Sequence, residues 1–194
     1  MYSLLKKMKA SICKKNNEEQ KTELKNKECV STSINIKKIF HSTFLITYPD
    51  NTTVLTDPYF NNSSVGNLVL IEKNKMKTEQ LPKIDVILVS HEHFDHFDKD
   101  AINYLINRDK SIVVGPVEIT KQLNLPKTEE RTIKVDDEIV VATIKIKVVP
   151  AQHHQSFYPV GYILEKNNKT IYFAGDTNSL PNINIPINIA IIPS

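Results

Sequence analysis

From about Ser33 onward the apolar residues recur mainly at the two-residue period of a β-strand. Ile34, Ile36 and Lys38 to Phe40 predict a first strand, Thr43 to Tyr48 a second and Thr52 to Thr56 a third, with Pro49-Asp50-Asn51 turning the chain between the last two. Asp57-Pro58 ends the third, because proline has no amide hydrogen for the ladder and favours an extended residue before it. Residues 59 to 82 read as an irregular excursion, long enough that it should lie over or beside a site. The apolar run Ile84 to Ser90 predicts the next strand. Helical spacing follows in Ala101, Ile102, Leu105 and Ile106, which marks Lys99 to Asn107 as a helix with Asp98 as its N-cap. Ser111 to Val114 is a short buried strand, and Pro116 to Leu123 a helix with proline in its first turn. Two or three strands rich in Ile and Val occupy Arg131 to Val149. Val160 to Leu164, Thr170 to Ala174 and Ile187 to Ile192 complete the set. The late Ile183, Ile185, Ile187, Ile189 and Ile191 alternate as in a half-buried edge strand. Strands, helices and strands in this order predict an α/β (α+β) chain with two sheets sandwiched between helices.

The first 32 residues have a different character and read as a basic, polar extension ahead of a domain at 33 to 194. Leu4, Leu5, Met8 and Ile12 recur at helical spacing among lysines, a pattern of a docking helix or frayed tail rather than a membrane anchor, since the apolar stripe is thin. Asn16 to Lys27 is almost wholly charged and polar, a linker or solvated helix. Residues 1 to 30 carry eight Lys against four Glu, so the net charge of +3 is a property of this tail and the remainder stands at −1. With Arg108 and Arg131 as the only arginines, nucleic-acid binding is disfavoured. Cys13 and Cys29 have no metal-ligand spacing, and two lone thiols fit a reduced, cytoplasmic setting. No run has the length of a transmembrane helix, and the N-terminal charges are placed unlike those of a signal peptide.

The chemistry is concentrated in His91-Glu92-His93-Phe94-Asp95-His96, directly after the strand that ends at Ser90. Imidazole nitrogen and carboxylate oxygen are the donors that divalent ions such as zinc select. In an extended segment residues two apart point the same way, so His91 and His93 can grip one ion. Asp95 and His96, past the point where the chain must turn, would face a second ion nearby. Glu92 and Phe94 then point away, Glu92 towards solvent or a neighbouring ligand and Phe94 into packing.

The chain has six histidines, at 41, 91, 93, 96, 153 and 154. His153 or His154, in the loop after the strand ending at Val149 and Pro150, could complete a three-histidine site. Asp176 follows the strand Thr170 to Ala174 through Gly175, which permits close backbone approach, and its carboxylate could bridge two ions.

These pieces resemble the metallo-β-lactamase superfamily, whose His-x-His-x-Asp-His signature is matched at His91, His93, Asp95 and His96. His41-Ser-Thr-Phe-Leu-Ile46, Thr56-Asp57-Pro58, Pro150-Ala-Gln-His153 and Phe173-Ala-Gly-Asp176-Thr resemble its branch of metal-dependent hydrolases that includes the ascorbate phosphate lactonase and the N-acyl phosphatidylethanolamine phospholipase D. The resemblance runs from about Ile34 to the end. It implies an αββα sandwich, His153 rather than His154 as third ligand of the first metal, Asp176 as a bridge, and Asp57 as the carboxylate steadying the ligand loop. His41 is left in an orienting or structural role. The family supplies a further histidine to the second metal after the Gly-Asp strand, and no histidine follows His154. The resemblance therefore implies either a C-terminally incomplete domain or a weak second site.

The expected function is a metal-dependent hydrolase using a metal-activated hydroxide on a small-molecule ester, lactone or phosphodiester, with Asp95 holding the second metal and accepting the proton of the nucleophile. Thioester hydrolysis is a further option. One or two divalent ions are expected, zinc first, with manganese and iron compatible with the same donors. The rival reading is an impaired or truncated metal-binding protein with one structural ion. A flavoprotein is disfavoured, since the length leaves no room for a flavin domain. Oligomeric state leaves no mark on the sequence.

Overall fold

The computed structural model describes residues 33–61, 73–123 and 125–193. The expected N-terminal helix and linker, Cys13 and Cys29, and the middle of the 59–82 excursion lie outside the described residues. Among the described residues the period-two segments form eleven strands in two sheets. β1 (Asn35–Phe40), β2 (Thr43–Thr47), β3 (Thr53–Thr56), β4 (Val86–Leu88), β5 (Ile112–Gly115) and β6 (Glu130–Thr132) lie side by side in that order. The second sheet runs β11 (Ile189–Ile191), β10 (Lys169–Phe173), β9 (Val160–Lys166), β8 (Ile144–Pro150) and β7 (Glu138–Val141). Both sheets are mixed. The β1-β2-β3 meander is antiparallel and then continues parallel through β6, whereas β7 to β10 are antiparallel and only β11 joins in parallel.

The strands of the first sheet are apolar at successive positions because both of its faces are buried. Ile46, Val54, Val86, Leu88 and Val114 point inward to meet Ile144, Ile146, Val148, Tyr162, Leu164, Ile171 and Phe173 of the second sheet. Their chain neighbours Leu45, Leu55, Ile87 and Val113 point outward, against Ile102, Leu105 and Ile106 of helix α1 (Lys99–Asp109) and Ile119 and Leu123 of helix α2 (Val117–Leu123). Asp98 caps α1 as expected, accepting from the Ala101 amide at 3.1 Å through Oδ1, while its Oδ2 takes the amides of Phe60 and Asn61. The excursion after Pro58 is thus anchored to the helix start. The outer face of the second sheet is divided: Ile163 and Tyr172 are covered by Ile183 and Ile187, and Lys145, Lys147, Glu138 and Glu165 pair with one another in water. Strand pairing at the end of the chain is confined to Ile189–Ile191, so the alternation beginning at Ile183 reports packing onto a sheet face rather than a longer strand. Among the described residues no helix is long and apolar enough to cross a membrane.

The topology gathers strand ends. β1 and β3 both pair antiparallel with β2, so they run alike, and β4 runs with β3. β8 and β10 both pair antiparallel with β9 and likewise share a direction. A bond from the Val160 amide to the Ser90 carbonyl, 3.1 Å, and one from the Tyr162 hydroxyl to the Val89 carbonyl, 2.7 Å, join the two sheets where β4 gives way to the histidine segment.

Candidate metal centre

The segments that follow β1, β3, β4, β8 and β10 carry His41, Asp57, His91 to His96, His153 and Asp176. The register of β3 on β4 pairs Thr56 with Leu88 and continues for one bond, from the Asp57 amide to the Leu88 carbonyl at 2.8 Å. Asp57 is thereby set beside Ser90 and is fully buried. Its Oδ1 accepts from the Ser90 amide at 2.7 Å, and its Oδ2 accepts from the Ser90 hydroxyl at 2.6 Å and from His96 Nδ1 at 2.7 Å. The Ser90 hydroxyl has one hydrogen, already given to Asp57, so at 2.9 Å from His91 Nδ1 it acts as acceptor. One carboxylate therefore keeps the hydrogen on the Nδ1 side of two imidazoles, accepting from His96 directly and from Ser90, which in turn accepts from His91. Both Nε2 atoms are buried and without a hydrogen-bond partner.

Buried polar atoms are almost always partnered, and two unpartnered ring nitrogens on one segment are available as metal ligands. His93 points the same way from the other side. Its Nε2 lies 3.0 Å from the carbonyl of Gln155 and donates to it, which frees Nδ1, 3.2 Å from His153 Nε2. One ring nitrogen each from His91, His93 and His153 lie within 4.8 Å of one another. His154 is exposed, with its Nδ1 3.4 Å from the Asn178 amide, so the structure brings His153 and not His154 to the cluster. His93 Nδ1 and His153 Nε2 face each other at 3.2 Å, and with His91 they give three imidazoles, the donor set of a zinc site with an open fourth position.

Asp95 and His96 are placed apart from this trio. Asp95 Oδ2 is 3.1 Å from His41 Nε2, and His96 Nε2 is 3.3 Å from Asp176 Oδ2, an approach whose angle makes no hydrogen bond. A second gathering of ligand atoms within 4.8 Å consists of His41, Asp95 and His96. The proximity of Asp57 to His91 and His96 is already explained by hydrogen bonds. Glu92, expected to face solvent or a neighbouring ligand, instead accepts from the Ser156 hydroxyl at 2.8 Å and the Phe157 amide at 2.9 Å and fastens the His153 loop to the histidine segment. Phe94 packs edge-on against Tyr59, which sets the first residue of the excursion beside the histidine segment.

The electrostatics separate the histidines. Burial, reinforced by the charge of His96, lowers the His91 pKa to about 4, so this ring is neutral. Burial opposes charge on His96 as well, but the flanking carboxylates of Asp176 and Asp57 outweigh it and raise its pKa to about 10. The His96 imidazole beside Asp176 in turn holds that carboxyl at about 2. Burial pushes the Asp95 carboxyl up, and the hydrogen bond from His41 and the charge of His96 outweigh it and hold it below its ordinary value.

One backbone position departs from sequence expectation and one agrees with it. Asp57 is not extended before Pro58 but left-handed, with φ of 35°. The bonds to its carboxylate and amide, and one from Thr43 Oγ1 to its carbonyl at 2.7 Å, hold it in that strained form. Gly175 has φ of 58°, and a Cβ there would stand 2.6 Å from Ser90 Cβ, which explains why glycine precedes Asp176. The Asp57–Ser90 link is beyond sequence reasoning, as is the approach of His41 to Asp95. A cavity of about 340 Å³, lined in part by Lys38, His41, Ser42, His153, Asp176 and Asn178, opens beside the centre.

Residues 52–189 match the family model described as the beta-lactamase superfamily domain. The UPF0173 protein of Pyrococcus furiosus is 29% identical over 142 residues, covering 73% of this chain and 59% of its own length. The UPF0173 metal-dependent hydrolase of Nanoarchaeum equitans is 28% identical over 174 residues, covering 81% of this chain and 69% of its own. A crystal structure from Parabacteroides distasonis, of a protein assigned as a metal-dependent hydrolase, superposes with a TM-score of 0.63 at 27% identity, over 81% of this chain and 68% of that one. The metallo hydrolase Igni18 of Ignicoccus hospitalis shares the fold at a TM-score of 0.56 and 23% identity, over 74% of this chain and 61% of its own. The chain spans about three fifths of the length of the Pyrococcus furiosus relative.

Proposed function

The chain belongs to the metallo-β-lactamase superfamily, and from that premise we propose that it is a metal-dependent hydrolase of a small-molecule ester, lactone or phosphodiester. His91 Nε2, His93 Nδ1 and His153 Nε2 hold the first divalent ion, and Asp95, His96 and Asp176 face a second. The observation that carries this reading is the pair of buried, unpartnered Nε2 atoms of His91 and His96, oriented by one carboxylate. Zinc suits the donor set best, and manganese and iron are compatible with it. When bound, such ions supply Lewis acidity and bring the pKa of water within reach of neutral pH.

The protein's own groups do the rest. Asp95 stays ionised, half-buried and hydrogen-bonded to His41, so it can accept a hydrogen bond from the attacking water and fix its direction. Glu92 and Gln155 hold His93 and the His153 loop against each other and limit the freedom of the site. The adjoining cavity has room for a small substrate, and Lys38 offers a cation at its wall. Replacing His91 and His93 together by alanine should abolish metal uptake at the first site and all turnover of nitrophenyl ester and phosphodiester probes. A double variant that retains its full metal content by elemental analysis would remove the basis of this reading.

A further inference from the structure

We infer that His41 is a metal ligand, and that with Asp95 and His96 it forms the site of the second divalent ion. This rests on the metal-binding reading above and adds to it a residue that lies fifty positions before the histidine segment.

His41 opens the two-residue loop between β1 and β2, where Phe40 pairs with Thr43. Its φ is 46°, a left-handed position that glycine normally takes at the start of such a loop. The strained backbone holds the imidazole over the centre: Nε2 is 3.1 Å from Asp95 Oδ2, and the ring stands edge-on to His96 with centroids 5.1 Å apart. Ligand atoms of His41, Asp95 and His96 lie within 4.8 Å of one another. A hydrogen bond from His41 to Asp95 accounts for the first distance alone. It leaves His96 Nε2, fully buried, without a hydrogen bond, 4.0 Å from Asp95 Oδ2 and 3.3 Å from Asp176 Oδ2, and its other nitrogen is already committed to Asp57. A cation shared by the three residues accounts for both facts. Two imidazoles and one carboxylate are a donor set for zinc, iron(II) or manganese(II). None of these three belongs to the trio of the first ion, so the two sites can be emptied separately. His41 is also half-exposed and lines the cavity, which places this ion on the side where a substrate enters.

The test uses the 194-residue chain, stripped of metal, dialysed against zinc and assayed by elemental analysis. Wild type should hold two ions and His41→Gly one, while the glycine, suited to the positive φ, leaves the urea midpoint of the metal-free chain equal or higher. His41→Cys loaded with cobalt(II) should gain a near-ultraviolet thiolate-to-cobalt absorption relative to wild type, whose Cys13 and Cys29 set the background. Two ions in His41→Gly would overturn the inference. Loss of an ion in that variant without the new band in His41→Cys would make His41 a residue that orients Asp95, and would overturn its role as ligand. One ion in wild type, unchanged in His41→Gly, overturns the inference and leaves the three-histidine site standing, whereas no ion in wild type overturns both.

Discussion

Asparagine in place of Asp57 removes one acceptor oxygen and a charge while leaving size and backbone nearly untouched. Asparagine visits the left-handed region as readily as aspartate, so the φ of 35° is kept. With the amide oxygen in the position of Oδ1, the bond from the Ser90 amide survives. The NH₂ group then stands at Oδ2, where it meets two donors, the Ser90 hydroxyl at 2.6 Å and His96 Nδ1 at 2.7 Å. Hydrogen bonds to charged groups are worth about 1.5–3 kcal/mol each. The carboxylate and His96 are both fully buried, so water does not take over either partner. The metal-free chain should lose about 3–5 kcal/mol, the range for breaking one side of a buried pair. The effect on metal follows from tautomers. Once Asp57 no longer draws hydrogen to the Nδ1 atoms, the His91 and His96 Nε2 lone pairs are no longer enforced, and affinity should fall roughly 10- to 100-fold. Competition with a chromophoric chelator measures the second effect and urea unfolding the first. Zinc affinity within about threefold of wild type, together with an unmoved urea midpoint, would refute the view that one carboxylate orients both rings.

Gly175→Ala places a Cβ 2.6 Å from Ser90 Cβ at φ of 58°, and should cost about 1–2 kcal/mol in backbone strain and about 1–3 kcal/mol in overpacking, read from urea unfolding; an unchanged midpoint would show that the β10 end is not pressed on Ser90. Glu92→Ala removes the acceptor of the Ser156 hydroxyl and the Phe157 amide, and should weaken zinc binding at the first site about tenfold without altering the urea midpoint by more than about 1–2 kcal/mol; the chelator assay decides it. At the opposite end of the sandwich the Lys166 ammonium, buried beneath Tyr48, reaches Asp50 at 2.8 Å, and that hydrogen bond, with one from Thr52, lowers the Asp50 pKa to about 2. A depressed carboxyl stabilises above its unfolded pKa, near 4, and the benefit disappears as pH falls towards 2. Wild type should therefore lose more stability than Lys166→Met between roughly pH 5 and pH 2, by a small margin because Asp50 is half-exposed; equal losses in urea series at the two pH values would exclude the pair as the cause.

What the chain discloses before folding is what is local. Period-two alternation places β1, β2 and β3 within a residue of their observed bounds, and Asp98 announces α1 because capping needs only three residues of context. The histidine segment is legible for the same reason: His91, His93, Asp95 and His96 state their chemistry in six positions. Choosing between His153 and His154 is not local, since adjacent residues differ only in which way the loop turns, and the loop is turned by Glu92 from a segment 61 residues away. Asp57 is legible as a strand end but not as the partner of Ser90, which depends on β3 and β4 pairing in parallel with Thr56 opposite Leu88. The extended conformation expected before Pro58 fails because a local steric preference of modest size yields to several buried hydrogen bonds.

Three of the left-handed residues lie where the centre is assembled. His41, Asp57 and Gly175 follow the ends of β1, β3 and β10, with φ of 46°, 35° and 58°. In an extended strand successive side chains alternate between the two faces of the sheet, and none points along the strand beyond its last hydrogen bond. A site lying beyond the strand ends needs the chain to turn within one residue, and a positive φ does this. Glycine does so without penalty at 175, where the neighbour Asp176 carries the carboxylate. At 41 and 57 the residue that turns is also the one whose side chain is used, so glycine cannot serve. The strain there is retained by what the side chain contacts: for Asp57 by Ser90 and His96, and for His41 by Asp95 and the proposed second ion. It follows that glycine at 41 should relax the hairpin while glycine at 57 should not rescue the fold, because the first releases strain alone and the second also removes the carboxylate that holds the strands' ends together.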